Sequence, residues 1–77
     1  MRVGRGEIDL IIRDHGVVVA VEVKTGATPM DQFTDDKIAV VRAAMRRLQP
    51  PPRRLDLVTV TTPRGGRVTV RWYRGAG

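Results

Sequence analysis

The chain has no cysteine, which excludes disulfides, thiolate zinc sites and cysteine nucleophiles. It has a single histidine, His15, so a histidine cluster cannot hold a metal. No apolar run is long enough to cross a bilayer. The first such stretch, Ile8 to Ile12, is broken by Asp9 and falls far short of the ~20 residues a spanning helix needs. No signal peptide or internal repeat is evident, so a cytoplasmic protein with no membrane partner is expected. A length of 77 residues suits one domain, residues 1–77, with a thin core. Acidic residues are in deficit, 8 Asp and Glu against 14 Lys and Arg, for a net charge of +6. That excess suits a polyanion, most simply nucleic acid, and argues against an acidic interaction module. Twelve of the basic residues are arginine, which a GC-rich genome would also favour, so composition alone does not decide between the two.

What is present reads as strand, strand, helix, strand, strand. Glu7 to Arg13 alternates and is isoleucine-rich, and Val17 to Lys24 is valine-rich; both read as strands joined by a turn over Arg13 to Gly16. Thr25 to Asp31 contains Gly and Pro and reads as a loop. Thr34 is a helix N-cap, followed by Asp35 and Asp36 where the helix dipole favours negative charge. Ile38, Val41, Met45 and Leu48 recur at spacings of three and four and form one apolar stripe, and Pro50-Pro51-Pro52 stops the helix. Leu55 to Thr61 and Arg67 to Tyr73 are strands joined by a turn at Pro63 to Gly66. The expected architecture is α/β, with one helix on one face of a mixed sheet.

The first hairpin gathers the charges. Ile8, Leu10 and Ile12 form the apolar phase of one strand; Val17, Val19, Val21 and Val23 form that of the next. One buried face requires both sets to point the same way. Pairing Ile12 with Val17 across a four-residue loop does this, and sends Glu7, Asp9, Glu22 and Lys24 to the other face, with Glu7 opposite Glu22. Like charges opposed in a sheet destabilise it; Lys24 offsets one, and a divalent cation would offset the rest. All-oxygen ligation suits Mg²⁺ or Mn²⁺. Such an ion polarises a phosphodiester and acidifies bound water, while an ammonium beside it orients that water. The bland alternative is a salt-bridge cluster at a sheet edge. Against it, these charges interrupt strands that are otherwise strongly apolar.

The stretch Gly6-Glu7-Ile8-Asp9-Leu10-Ile11, followed by Val21-Glu22-Val23-Lys24-Thr25, resembles the YraN-like family of predicted endonucleases, within the PD-(D/E)xK nuclease superfamily. Lys37 with the arginine-rich helix resembles that family's helix after the active-site hairpin, Arg54 to Val58 its next strand, and Tyr73 to Ala76 its closing segment. The resemblance implies a restriction-endonuclease-like fold of about four strands and one main helix in ββαββ order. It also implies Asp9 and Glu22 as metal ligands, helped by the main-chain carbonyl of Val23, with Lys24 positioning or activating the attacking water. Glu7 matches the family block and would be an outer or second-metal carboxylate. The family pattern begins with a helix carrying a further glutamate. This chain starts at Met1-Arg2-Val3-Gly4-Arg5, so that first helix is expected to be lacking, and the surface left uncovered would favour a homodimer or partner binding.

The resulting expectation is a Mg²⁺- or Mn²⁺-dependent endonuclease hydrolysing phosphodiester bonds of DNA, branched or structured DNA included. Asp9, Glu22 and Lys24 are its catalytic set. Lys37, Arg42, Arg46 and Arg47 are its candidate nucleic-acid contacts, a solvated helix face being the alternative for the arginines. Trp72 and Tyr73 alternate faces, so at most one can stack on a base; one is expected in the core. His15 is expected only to fill its turn, and Asp56 to cap or pair with an arginine. Two other functions compete: a non-catalytic, dimeric nucleic-acid-binding module, and a structural dimer with no nucleic-acid role.

Overall fold

The computed structural model describes residues 8–62 and 65–77. Strands β1 (Leu10–Asp14), β2 (Val17–Gly26), β3 (Arg54–Thr61) and β4 (Thr69–Tyr73) form one sheet in the order β1-β2-β3-β4. The β1–β2 and β3–β4 pairs are antiparallel and β2–β3 is parallel. The parallel pair demands a crossover, which helix α1 (Asp35–Arg46) supplies. The fold is therefore α/β, with a four-stranded mixed sheet. A 3-10 turn at Pro29–Gln32, in the stretch expected to be loop, leads into α1.

Each element follows from local chemistry. The Thr34 hydroxyl accepts the Lys37 N–H at 3.4 Å, satisfying one of the orphan donors of the first helical turn. Asp35 and Asp36 occupy that turn. The apolar stripe packs as expected: Val41, Ala44 and Met45 are buried, with Ile38 and Leu48 beside them. The helix ends at Arg46, before the prolines, where the Arg47 and Leu48 N–H groups turn back to Ala44 and Met45.

The first hairpin differs from the sequence-based register in one respect. Asp14 pairs with Val17 and Ile12 with Val19, so the turn is the two residues His15 and Gly16 rather than four. Both have positive φ, 50° and 82°, the condition for a primed turn whose twist matches the strands. The shift is two residues, so every side chain keeps its face. The strand also begins later than expected, at Leu10, after a bend at Asp9.

The structure also decides which face α1 covers, a choice the sequence left open. Its core partners are Ala20 and Leu55, which are paired neighbours, with Ile11 opposite Ala20. Paired residues project to one side, so the helix lies on the face that carries Glu22 and Lys24, not on the valine face. Ile8, expected to follow Leu10 onto the valine face, joins this helix-side core, because the bend at Asp9 breaks the alternation. The reason lies in size and shape. Ala20 is small and leaves room for a helix to approach, and Leu55 supplies the bulk that meets it.

Candidate active site

Continuing the β1–β2 register by one residue sets Asp9 directly opposite Glu22. Two hydrogen bonds lock the pair. The Asp9 N–H donates to Glu22 Oε1 at 3.2 Å, and the Val23 N–H donates to Asp9 Oδ2 at 2.9 Å. The bend at Asp9 allows both, by taking its N–H out of the ladder and aiming it at a side chain. Lys24, two residues beyond Glu22 and so on the same face, brings Nζ to 3.6 Å from Glu22 Oε2. Asp9, Glu22 and Lys24 are thus brought together as expected, with Asp9 rather than Glu7 opposite Glu22. Glu7 lies outside the described residues. Val23, expected to offer its carbonyl, contributes its N–H to Asp9.

The electrostatics of the pair follow from burial and from like charge. Glu22 is only 4% exposed, and burial first, then the Asp9 carboxylate, push its pKa above the ordinary glutamate value. The Asp9 N–H and the Lys24 ammonium pull the other way and do not prevail. Each carboxylate has one oxygen held by a main-chain N–H. Among the described residues Asp9 Oδ1 has no hydrogen bond, and Glu22 Oε2 has only the long contact to Lys24. Two adjacent carboxylates with an outward oxygen each fit a hard divalent cation. They are two and not three: among the described residues no group of three His, Cys, Asp or Glu is placed to hold a metal.

A cleft of about 270 Å³ opens over the pair, between the sheet and the first two turns of α1. Asp9, Glu22 and Lys24 form its floor, and Asp36, Lys37, Val40 and Val41 form its wall. Lys37 therefore faces the site. Arg42, Arg46 and Arg47 do not line this cleft; all three are exposed further along the helix. Asp36 is a cleft residue that the sequence suggested only as a helix-dipole partner. Its signal was positional: residues 36, 37, 40 and 41 share one side of a helix, and Val41 belongs to the buried stripe. That signal becomes readable only once the helix is known to cover the charged face.

The opposite face carries a second polar centre. Asp56 is fully buried and accepts from Arg54 Nε at 2.7 Å and Nη2 at 3.0 Å, from Trp72 Nε1 at 2.8 Å and from the Gly75 N–H at 2.9 Å. Burial raises its pKa, but the Arg54, Gly75 and Trp72 hydrogen bonds outweigh that and leave it below the ordinary aspartate value. Arg54 also reaches Asp14 at 2.9 Å, which lowers the Asp14 pKa, as does the His15 contact at 2.8 Å. The expected pairing of Asp56 with an arginine is met. Trp72 is 55% exposed, and Tyr73 is half-buried.

Residues 1–60 match the sequence model of the Uncharacterised protein family UPF0102. Similar proteins include the UPF0102 protein of Kineococcus radiotolerans, 38% identical over 82 residues that cover 91% of this chain and 67% of that protein. That of Nocardioides sp. is 39% identical over 83 residues, covering 94% and 67%. That of Symbiobacterium thermophilum is 38% identical over 87 residues, covering 99% and 74%. No solved structure matches the chain significantly. No helix among the described residues is long and apolar enough to cross a membrane.

Proposed function

We propose that this chain, which belongs to the uncharacterised protein family UPF0102, is a Mg²⁺- or Mn²⁺-dependent endonuclease acting on DNA, of the PD-(D/E)xK kind and with a restriction-endonuclease-like core. The observation that carries the reading is the carboxylate pair Asp9–Glu22, its glutamate buried and incompletely offset, with the Lys24 ammonium at 3.6 Å from Glu22 and a cleft above. A buried glutamate pushed toward protonation costs stability unless a cation offsets its charge, and such costs cluster at functional sites.

Asp9 and Glu22 would hold the cation through the oxygens not engaged by main-chain N–H groups, with the Val23 carbonyl as a further donor. Such a cation would supply Lewis acidity toward the phosphodiester and the attacking water. Lys24, on the same face and beside Glu22, orients that water and balances the negative charge that grows on the phosphate oxygens. Lys37, on the cleft wall, holds the substrate phosphate in place. The net charge of +6 favours encounter with DNA.

A second reading is a nucleic-acid-binding module that does not cleave. One observation favours it: Lys24 already stands 3.6 Å from Glu22 Oε2 and offsets part of the charge that a cation would neutralise. Supercoiled plasmid and branched DNA, incubated with and without Mn²⁺, separate the two. The endonuclease nicks only with the metal, and Asp9→Asn or Lys24→Ala lowers that rate by roughly 10²-fold or more while the far-ultraviolet dichroism stays that of the parent. Binding without nicking would leave the module; unchanged nicking by either variant would remove the mechanism.

A further inference from the structure

On the helix-covered side of the sheet the register lines up side chains from three strands. Lys24 of β2 pairs with Thr59 of β3, and Thr59 pairs with Arg71 of β4. Paired residues project to the same face, so Arg71 leaves the sheet on the side of Asp9, Glu22 and Lys24. Two strand spacings of ~4.8 Å put its backbone about 10 Å from that of Lys24. Thr59 between them is buried and uncharged. The row therefore reads cation, neutral, cation.

The two faces treat their arginines differently. On the opposite face, Arg54 is held by Asp14 and Asp56, and Arg74 leans on Asp14 at 3.8 Å. Arg54 is thereby neutralised, and Arg74 has a carboxylate beside it. Arg71 is exposed and has no carboxylate partner among the described residues. An uncompensated guanidinium in register with the site lysine is suited to a phosphate, which it can grip in a bidentate way.

We infer that Arg71 holds a phosphate of the same nucleic-acid strand whose reacting phosphodiester lies at Lys24, so that the backbone crosses the sheet at right angles to its strands. Arg71 therefore takes a phosphate of that strand other than the reacting one, about 10 Å away across the sheet. The ligand class rests on the nuclease reading above; the placement of Arg71 rests on the register alone.

The test uses the full chain carrying Glu22→Gln, so that cleavage does not consume the probe, with labelled duplex and single-stranded oligonucleotides between about 50 and 200 mM salt. Arg71→Ala weakens binding several-fold and lowers the slope of log K against log salt by about 0.7 to 0.9, the share of one phosphate. Arg53→Ala, an exposed arginine ahead of β3 at the far end of the sheet, leaves the slope unchanged. An unchanged slope for Arg71→Ala overturns the inference. So does a parent chain without salt-dependent affinity, or a variant that only aggregates, as expected of a charge that merely guards an edge strand. If the unmodified chain fails to nick DNA with Mn²⁺ while the Arg71 effect persists, cleavage is lost as a function and the DNA path stands.

Discussion

Glu22 is the residue whose chemistry departs furthest from its ordinary behaviour. Its folded-state pKa lies above the unfolded value of about 4.5, because burial and Asp9 disfavour the carboxylate. A raised value contributes stability below pH 4.5, and that contribution is lost as pH rises through the folded value. At neutral pH the Glu22 side chain is therefore a cost in the metal-free protein. Glu22→Gln is expected to raise the melting temperature of metal-free protein by a few degrees, ~1 kcal/mol being worth roughly 4–8 °C in a domain of this size. On the proposed reading Mn²⁺ is expected to raise the melting temperature in the parent and not in this variant. The two melting curves, with and without Mn²⁺, check both. In the parent, Mn²⁺ stabilisation is expected to fade as pH drops through the Glu22 value, because the cation then competes with a proton.

At the scale of the elements, the helix and the strands were legible, because period and capping are local properties. Thr34 caps α1 as its side-chain type suggested. Thr34→Ala is expected to cost about 1 kcal/mol, read as a lower denaturant midpoint with an unchanged slope. The cap also orients the turn that carries Asp36 and Lys37 over the cleft, so cleavage is expected to fall beyond what the lost stability explains. Turn length was less legible. Arg13 to Gly16 permits a two- or a four-residue loop, and choosing between them needs the backbone angles of His15 and Gly16. Nothing in the alternation of the strands penalises a shift of two.

At the scale of the molecule, the two faces of the sheet do different work. Asp56 ties β3 to β4 through Trp72, to the segment after β4 through Gly75 and, by way of Arg54, to Asp14 of β1. Asp56→Ala would leave Arg54 without its buried partner and is expected to cost about 3–5 kcal/mol, a large share of what a small domain has. Urea unfolding followed by Trp72 fluorescence measures it. The pH dependence runs opposite to that of Glu22. Asp14 and Asp56 have depressed values, so their contribution is present above about pH 3.8 and is lost as pH falls through their folded values. The stability of the parent is therefore expected to collapse on strong acidification, and that of Asp56→Ala to change less.

The order of elements, the pairing of strands into two hairpins and the placing of Asp9, Glu22 and Lys24 on one face all followed from the sequence, because a strand alternates with period two whatever surrounds it. Which face the helix covers did not follow. An apolar stripe shows that a helix has a side to bury, and both sheet faces offered apolar residues to receive it. The tertiary structure placed α1 over Ala20 and Leu55. That one choice buries Glu22, shifts its titration and brings Asp36 and Lys37 to the cleft, effects that depend on contacts between segments far apart in the chain.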